Sequence, residues 1–142
     1  MGDLIQCTAV KAGASLDIDV ALLQTNSKTL PAGVERIVDL NMAVINDDKF
    51  VVGATVYSIG FPAGFSLGLT DQGIEANNQD GKITQVRGDI EFGHNIASEH
   101  GASGSPIFNK NGKLIGILNA GYEKKQGYNM AIKAKHAVDL VR

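Results

Sequence analysis

Gly101-Ala102-Ser103-Gly104-Ser105-Pro106 is the stretch from which the fold can be read. A serine set between glycines and closed by a proline suits an acyl-transfer nucleophile. The hydroxyl must project from a tight turn while backbone N–H groups behind it converge on one point. Gly101 has no Cβ and can take backbone angles that other residues avoid, and Pro106 sets φ where the chain leaves the loop for a strand. A Gly/Ser-rich surface turn would look similar in a chain with 17 glycines, but the downstream sequence separates the two. Ile107-Phe108-Asn109 reads as a short strand, Asn111-Gly112 as a hairpin turn, and Lys113 to Ala120 as a second apolar strand. A strand-to-helix nucleophile elbow would need glycine two residues after the serine and a helix beyond it. Position 105 is serine and a hairpin follows, so the elbow is excluded.

Serine loop, strand, tight turn and strand, in that order, resemble the chymotrypsin-like serine peptidases. The resemblance makes Ser103 the nucleophile and the N–H groups of Gly101 and Ser103 the oxyanion hole, usually the largest single contribution to such catalysis. Far upstream, Asp17-Ile18-Asp19-Val20-Ala21-Leu22-Leu23 runs an acid into a buried-looking strand. It is similar to the segment that carries the triad acid, which puts that role on Asp19 and leaves Asp17 as a solvent-facing neighbour. A buried carboxylate would hold the imidazole in the right tautomer and stabilise the imidazolium. Residues 53–64, Gly-Ala-Thr-Val-Tyr-Ser-Ile-Gly-Phe-Pro-Ala-Gly, resemble the strand and turn that open the second barrel of HtrA-type peptidases. Residues 116–121 resemble their specificity strand, and residues 127–142 their closing strand and helix. Ser105-Pro106 with Ile107-Phe108-Asn109 is similar to the glutamyl endopeptidase branch.

The implied fold is all-β: an antiparallel six-stranded trypsin-like barrel with a short C-terminal helix, plus two strands left from an incomplete first barrel. Residues 1–32 would hold those remnant strands and the triad Asp, and residues 33–142 the second barrel, nucleophile loop and helix. Strands are expected near 4–10, 19–25, 34–40, 54–60, 67–76, 82–88, 105–109, 113–120 and 127–132, with Asp80-Gly81 as a hairpin turn. Ala134, Ala137, Val138 and Val141 recur at helical spacing in the last ten residues.

A triad also needs a histidine, which in this family precedes the aspartate. None precedes Asp19; the three present are His94, His100 and His136. By resemblance His94 falls in the approach loop, His100 at the wall of the specificity pocket and His136 in the terminal helix, and each is expected to be structural or solvated. Two strands cannot close a barrel, so about 60 to 90 upstream residues, including the histidine, are expected by analogy with two-barrel domains. Without its base a serine hydroxyl is a weak nucleophile, so the chain alone is expected to be nearly inactive. It would be a truncated peptidase, one piece of a split peptidase, or a histidine-free pseudoprotease that binds peptides.

The resemblance places the base of the specificity pocket near Ala97, its walls at Asn119, Ala120, Gly121 and Gly127, and His100 beside them. These residues are small and mostly apolar, so a substrate lysine or arginine would be buried without a partner. A small or medium apolar residue before the scissile bond is expected, with an acidic residue read by His100 as the alternative. Residues 119–121 would pair with the substrate backbone as an added strand. Ala102 cannot make the ion pair that secreted trypsin-like enzymes form after zymogen cleavage, so activation by N-terminal insertion is not expected.

Composition narrows the partners. Lys+Arg 13 against Asp+Glu 15 gives a net charge of −2 with no basic stripe, so nucleic acid is not expected. No apolar run approaches the roughly 20 residues of a membrane span. The expected partners are a peptide or protein substrate and either the upstream half of the same peptidase or a second copy. Cys7 has no internal cysteine to pair with and is expected to be a small core residue. Asn46-Asp47-Asp48 offers too few ligands for calcium, and neither metal nor cofactor is expected. An extracytoplasmic location is implied by resemblance alone.

Overall fold

The computed structural model describes residues 4–46, 50–60, 69–70, 73–74, 76–97, 101–119 and 129–142. Strands β1 (Cys7–Ala12) and β2 (Ala21–Thr25) pair antiparallel as a separate ribbon, with a register shift between Ala9 and Lys11. Strand β3 (Thr55–Gly60) turns Val56 and Ser58 inward and Tyr57 and Ile59 outward, the period-two pattern of a sheet with one buried face. Two-residue strands β4 (Leu69–Thr70) and β5 (Gly73–Ile74) pair with each other. Then follow β6 (Asn77–Arg87), β7 (Glu91–His94), β8 (Pro106–Asn109), β9 (Leu114–Leu118), β10 (Asn129–Lys133) and helix α1 (Ala134–Val141). Among the described residues β10, β7, β6, β3, β8 and β9 close, in that order, into a six-stranded antiparallel barrel. Closure leaves none of these strands at an open edge.

Val56, Ile83, Phe92, Ile96, Ile107 and Ala131 fill the barrel, and Phe50 lies against Phe92 with ring centroids 5.1 Å apart. Buried Ser58 is satisfied by donating its hydroxyl to Pro106 O at 2.8 Å. A Cβ built on Gly116 would stand 2.5 and 2.7 Å from two atoms of the Phe92 ring. Gly116→Ala is therefore expected to force the ring aside and cost about 1–3 kcal/mol by overpacking, read as a lowered urea midpoint.

The β8–β9 turn falls where Asn111-Gly112 predicts it, as a three-residue connection rather than two. Asn109 N–H bonds to Lys113 O at 2.9 Å, Asn109 Oδ1 accepts from the N–H groups of Asn111 and Lys113, and Gly112 has φ 74°. Asp80-Gly81 is not a turn. It lies inside β6 opposite Val56 and Tyr57, because a Cβ on Gly81 would meet Asn95 Oδ1 and Ile96 N at 2.7–2.8 Å. Its glycine serves close packing rather than chain reversal. Residues 34–40 form no strand. They run without a pairing partner, with Val34, Ile37 and Val38 exposed, into a 3-10 turn at Leu40–Met42 capped by Asp39 Oδ1. The strand expected at 67–76 is the short β4 and β5 instead. Strand β7 was not foreseen, and His94 ends it in the core rather than lying in an approach loop. Cys7 is exposed, not a core residue, and β2 is largely exposed although the C-terminal helix lies against part of it. Asp47 and Asp48 lie outside the described residues. No helix among the described residues is long and apolar enough to cross a membrane.

Candidate active site

Ser103 stands exposed while Ala102, immediately before it, is buried among the core residues. That alternation turns one side chain inward as an anchor and presents the next to solvent. Gly101 and Gly104 have φ of 95° and 89°, a left-handed geometry that a residue with a Cβ takes only under strain. The loop is tied down just beyond the serine. Ser105 N–H bonds to Ala102 O (3.0 Å), Gly104 N–H to Leu118 O (2.7 Å), and Leu118 N–H to Ser105 O (2.8 Å). The two bonds with Leu118 clamp the loop to the end of β9. Among the described residues no group accepts from the N–H of Gly101 or Ser103. Two donors flanking an exposed hydroxyl are what an oxyanion hole requires.

Asp19 sits where the chain enters β2. Val20 N–H bonds back to Ile18 O at 2.9 Å, a three-residue turn centred on Asp19, and Gly13 N–H reaches Val20 O at 2.9 Å. Asp19 is exposed, not the buried carboxylate expected. It lines an open cleft of about 670 Å³ together with Leu16, Asp17, Asn119 and the β6–β7 turn, Arg87 to Glu91. Asp19 and Asn119 therefore share one surface, and Asn119 directly follows Leu118, the residue that clamps the nucleophile loop. Asn119 is half-buried, its N–H bonded to Met130 O at 3.0 Å. Ala97 is exposed on the segment after β7. His100, Ala120, Gly121 and Gly127 lie outside the described residues.

The β6–β7 turn is a wall of this cleft that sequence reasoning missed. Gly88-Asp89 was the available signal, eclipsed by the nearby Asp-Gly pair. The turn is fixed from the end of β10 and from α1. Lys133, 1% exposed, donates from Nζ to Gly88 O (2.6 Å) and from its backbone N–H to Ile90 O (2.9 Å), with its ammonium 5.0 Å from the Phe50 ring centroid. His136 Nε2 donates to Asp89 O at 3.0 Å, and Lys135 pairs with the Asp89 carboxylate. Burial pushes His94 down to about 4, against the opposing pull of its bond to Met130. Both described histidines, His94 and His136, thus bond main-chain groups. Among the described residues no group of three or more His, Cys, Asp or Glu could hold a metal ion.

Similarity to known proteins agrees with this geometry. The family model "Trypsin-like peptidase domain" matches residues 2–117. A probable periplasmic serine endoprotease, DegP-like, of Pseudomonas putida (strain GB-1) is 29% identical over 147 residues, which is 99% of this chain and 28% of the relative. The chain therefore spans little more than a quarter of the length of such relatives. The MamO protease domain from Magnetospirillum magneticum superposes with a TM-score of 0.68 at 15% identity, over 97% of this chain and 68% of that one. The serine endoprotease from Yersinia pestis gives a TM-score of 0.63 at 23% identity, over 95% and 43% of the two chains. At these identities the structural likeness speaks for the fold alone.

Proposed function

The chain belongs to the trypsin-like peptidase domain family, and from that premise we propose that it is the C-terminal portion of a serine endopeptidase domain with Ser103 as nucleophile. The observation that carries this is the nucleophile loop: an exposed Ser103 on a loop clamped to β9, flanked by the N–H groups of Gly101 and Ser103, from which no group among the described residues accepts. Ser103 Oγ would attack the scissile carbonyl, its proton passing to a histidine carried outside this chain. The carbonyl oxygen, now negative, would be held by the two N–H groups until the amine leaves and an acyl-enzyme remains. Water would then release the acyl group by the same route. Asp19 would orient the histidine from across the cleft, and the strand continuing from Asn119 would pair with the substrate backbone.

Exposed apolar residues of the ribbon and of the segment running to the 3-10 turn support docking of an upstream segment on this face. Leu4, Ile5, Val10, Leu16, Leu23, Leu30, Ile37 and Met42 are all more than half exposed, an apolar surface of the kind that marks an interface. We assign residues 1–32 to the remnant of a first barrel and 33–142 to the second. A small or medium apolar residue is the proposed preference before the scissile bond. Relatives named periplasmic support an extracytoplasmic location.

A fluorophosphonate probe applied to an extract of the native source is expected to label Ser103 on a species well above 15.0 kDa. An abundant, unlabelled 15.0 kDa chain would instead favour a pseudoprotease that grips peptides without cutting, the outcome consistent with the absence of histidine before Asp19.

A further inference from the structure

His94 is fully buried at the end of β7 and has no part in the chemistry above. Its ring nevertheless has two defined partners. Ile96 N–H points at Nδ1 from 3.2 Å, so in the neutral ring Nδ1 is the lone-pair nitrogen and the proton sits on Nε2. Nε2 lies 3.3 Å from Met130 O, a group that can only accept, and the same tautomer satisfies both contacts. Met130 O also accepts the N–H of Asn119 at 3.0 Å. One carbonyl thus joins the buried imidazole to the residue that lines the cleft beside Asp19.

The bonding continues in both directions. Asn129, opposite His94 across β7–β10, donates Nδ2 to Ile96 O at 2.7 Å, so both sides of Ile96 are held. Asn95 is fixed to β6, its N–H to Lys82 O (3.2 Å) and its Oδ1 accepting Lys82 N–H (2.7 Å). On the other side Asn119 follows Leu118, whose N–H and C=O clamp the nucleophile loop. Phe92 meets the imidazole edge-on at 6.4 Å, which restricts its rotation.

We propose that His94 is a positioning residue: as the neutral Nε2–H tautomer it sets the spacing between Asn119 and the Asn95–Ala97 segment that leads to Gly101. The proposal rests on the reading of Ser103 as nucleophile and Asn119 as a substrate-strand residue. An aliphatic or phenyl side chain could fill the same space but would leave Ile96 N–H without its acceptor and Met130 O with one donor fewer. Asparagine could still accept from Ile96 N–H, as in an Asx turn, but is too short to reach Met130 O.

The test is nitrogen-15 NMR of the full chain at pH 7. Long-range imidazole spectra are expected to show His94 as one neutral tautomer, protonated at Nε2 and slow to exchange. A proton on Nδ1, or rapid averaging between tautomers, overturns the proposal. In His94→Asn the Ile96 amide is expected to stay near its wild-type position while Asn119, Leu118 and Gly104 shift. In His94→Phe all four are expected to move, with the distant Asn111 and Gly112 amides unchanged in both variants. Shifts that stop at Ile96 and leave Asn119 and Gly104 in place would overturn it. Should either variant fail to fold, the wild-type tautomer and exchange rate decide. Failure of Ser103 to react with fluorophosphonate in the native protein would count against the peptidase reading without moving these signals, so the two ideas fail separately.

Discussion

Mixed with an upstream segment that carries a histidine, this chain is expected to cleave peptides about 10⁶-fold faster than it does alone, the scale lost when a serine peptidase loses its histidine. Ser103→Ala in the same mixture is expected to abolish the gain, and Asp19→Asn to reduce it by about 10⁴, as in a chymotrypsin-like triad. The size of the effect follows from what the chain has and lacks. The nucleophile loop is already clamped to β9, and among the described residues no group accepts from the N–H of Gly101 or Ser103, so on the proposed reading these donors would need no rearrangement when a partner arrives. On the same reading the general base would come with the partner. A docking segment would also cover Asp19, now exposed, and charge–imidazole interaction is stronger in a dry site than in water. Such an association would have its own driving force: Leu4 and Leu16 are 99% and 101% exposed, and burying a leucine fully is worth about 1.5–3 kcal/mol. The assay is hydrolysis of a peptide library, titrated with the segment. Saturable binding with no hydrolysis and no fluorophosphonate label on Ser103 would identify a pseudoprotease.

The parts legible in the sequence were those whose chemistry is local. A serine between glycines, an Asn-Gly turn and a terminal apolar stripe at helical spacing each carry their own reason, and the loop, the β8–β9 hairpin and α1 lie where those signals put them. Signals with two physical meanings misled. Glycine after aspartate serves either a turn or a close approach, and at Gly81 the approach of Ile96 decides. Strand β7 is only four residues long, too short to show a period, and is set by its pairing with β6 and β10. The apolar residues of 34–40 and β2 suggested burial, but burial needs a covering surface, and the C-terminal helix meets only part of these segments. Gly88-Asp89 could signal the turn at Arg87–Glu91, but its place as a wall of the cleft was not legible because it meets Asp19 only through tertiary structure.

The chain is expected to lose about 3 kcal/mol of stability between pH 7 and pH 4 through His94 alone. Burial lowers its pKa from 6.5 to about 4, so across that window the unfolded chain binds a proton that the folded chain refuses. Stability rises with pH wherever the unfolded state holds more protons, and each unit of separation is worth about 1.4 kcal/mol. The contribution is complete above about pH 6.5, declines as pH falls, and stops changing below about 4, where both states are protonated. Urea unfolding at pH 7 and pH 4.5 measures it: the wild type should lose about 2–3 kcal/mol between the two from this site, and His94→Asn should lack that component. Equal losses in the two proteins would show that other groups set the acid limit. The penalty also has a location. A protonated Nδ1 would face the Ile96 N–H, donor against donor, in the place of the present 3.2 Å bond. Acid would therefore loosen the Asn95–Ala97 segment before the β8–β9 hairpin, and the approach to Ser103 before the barrel as a whole.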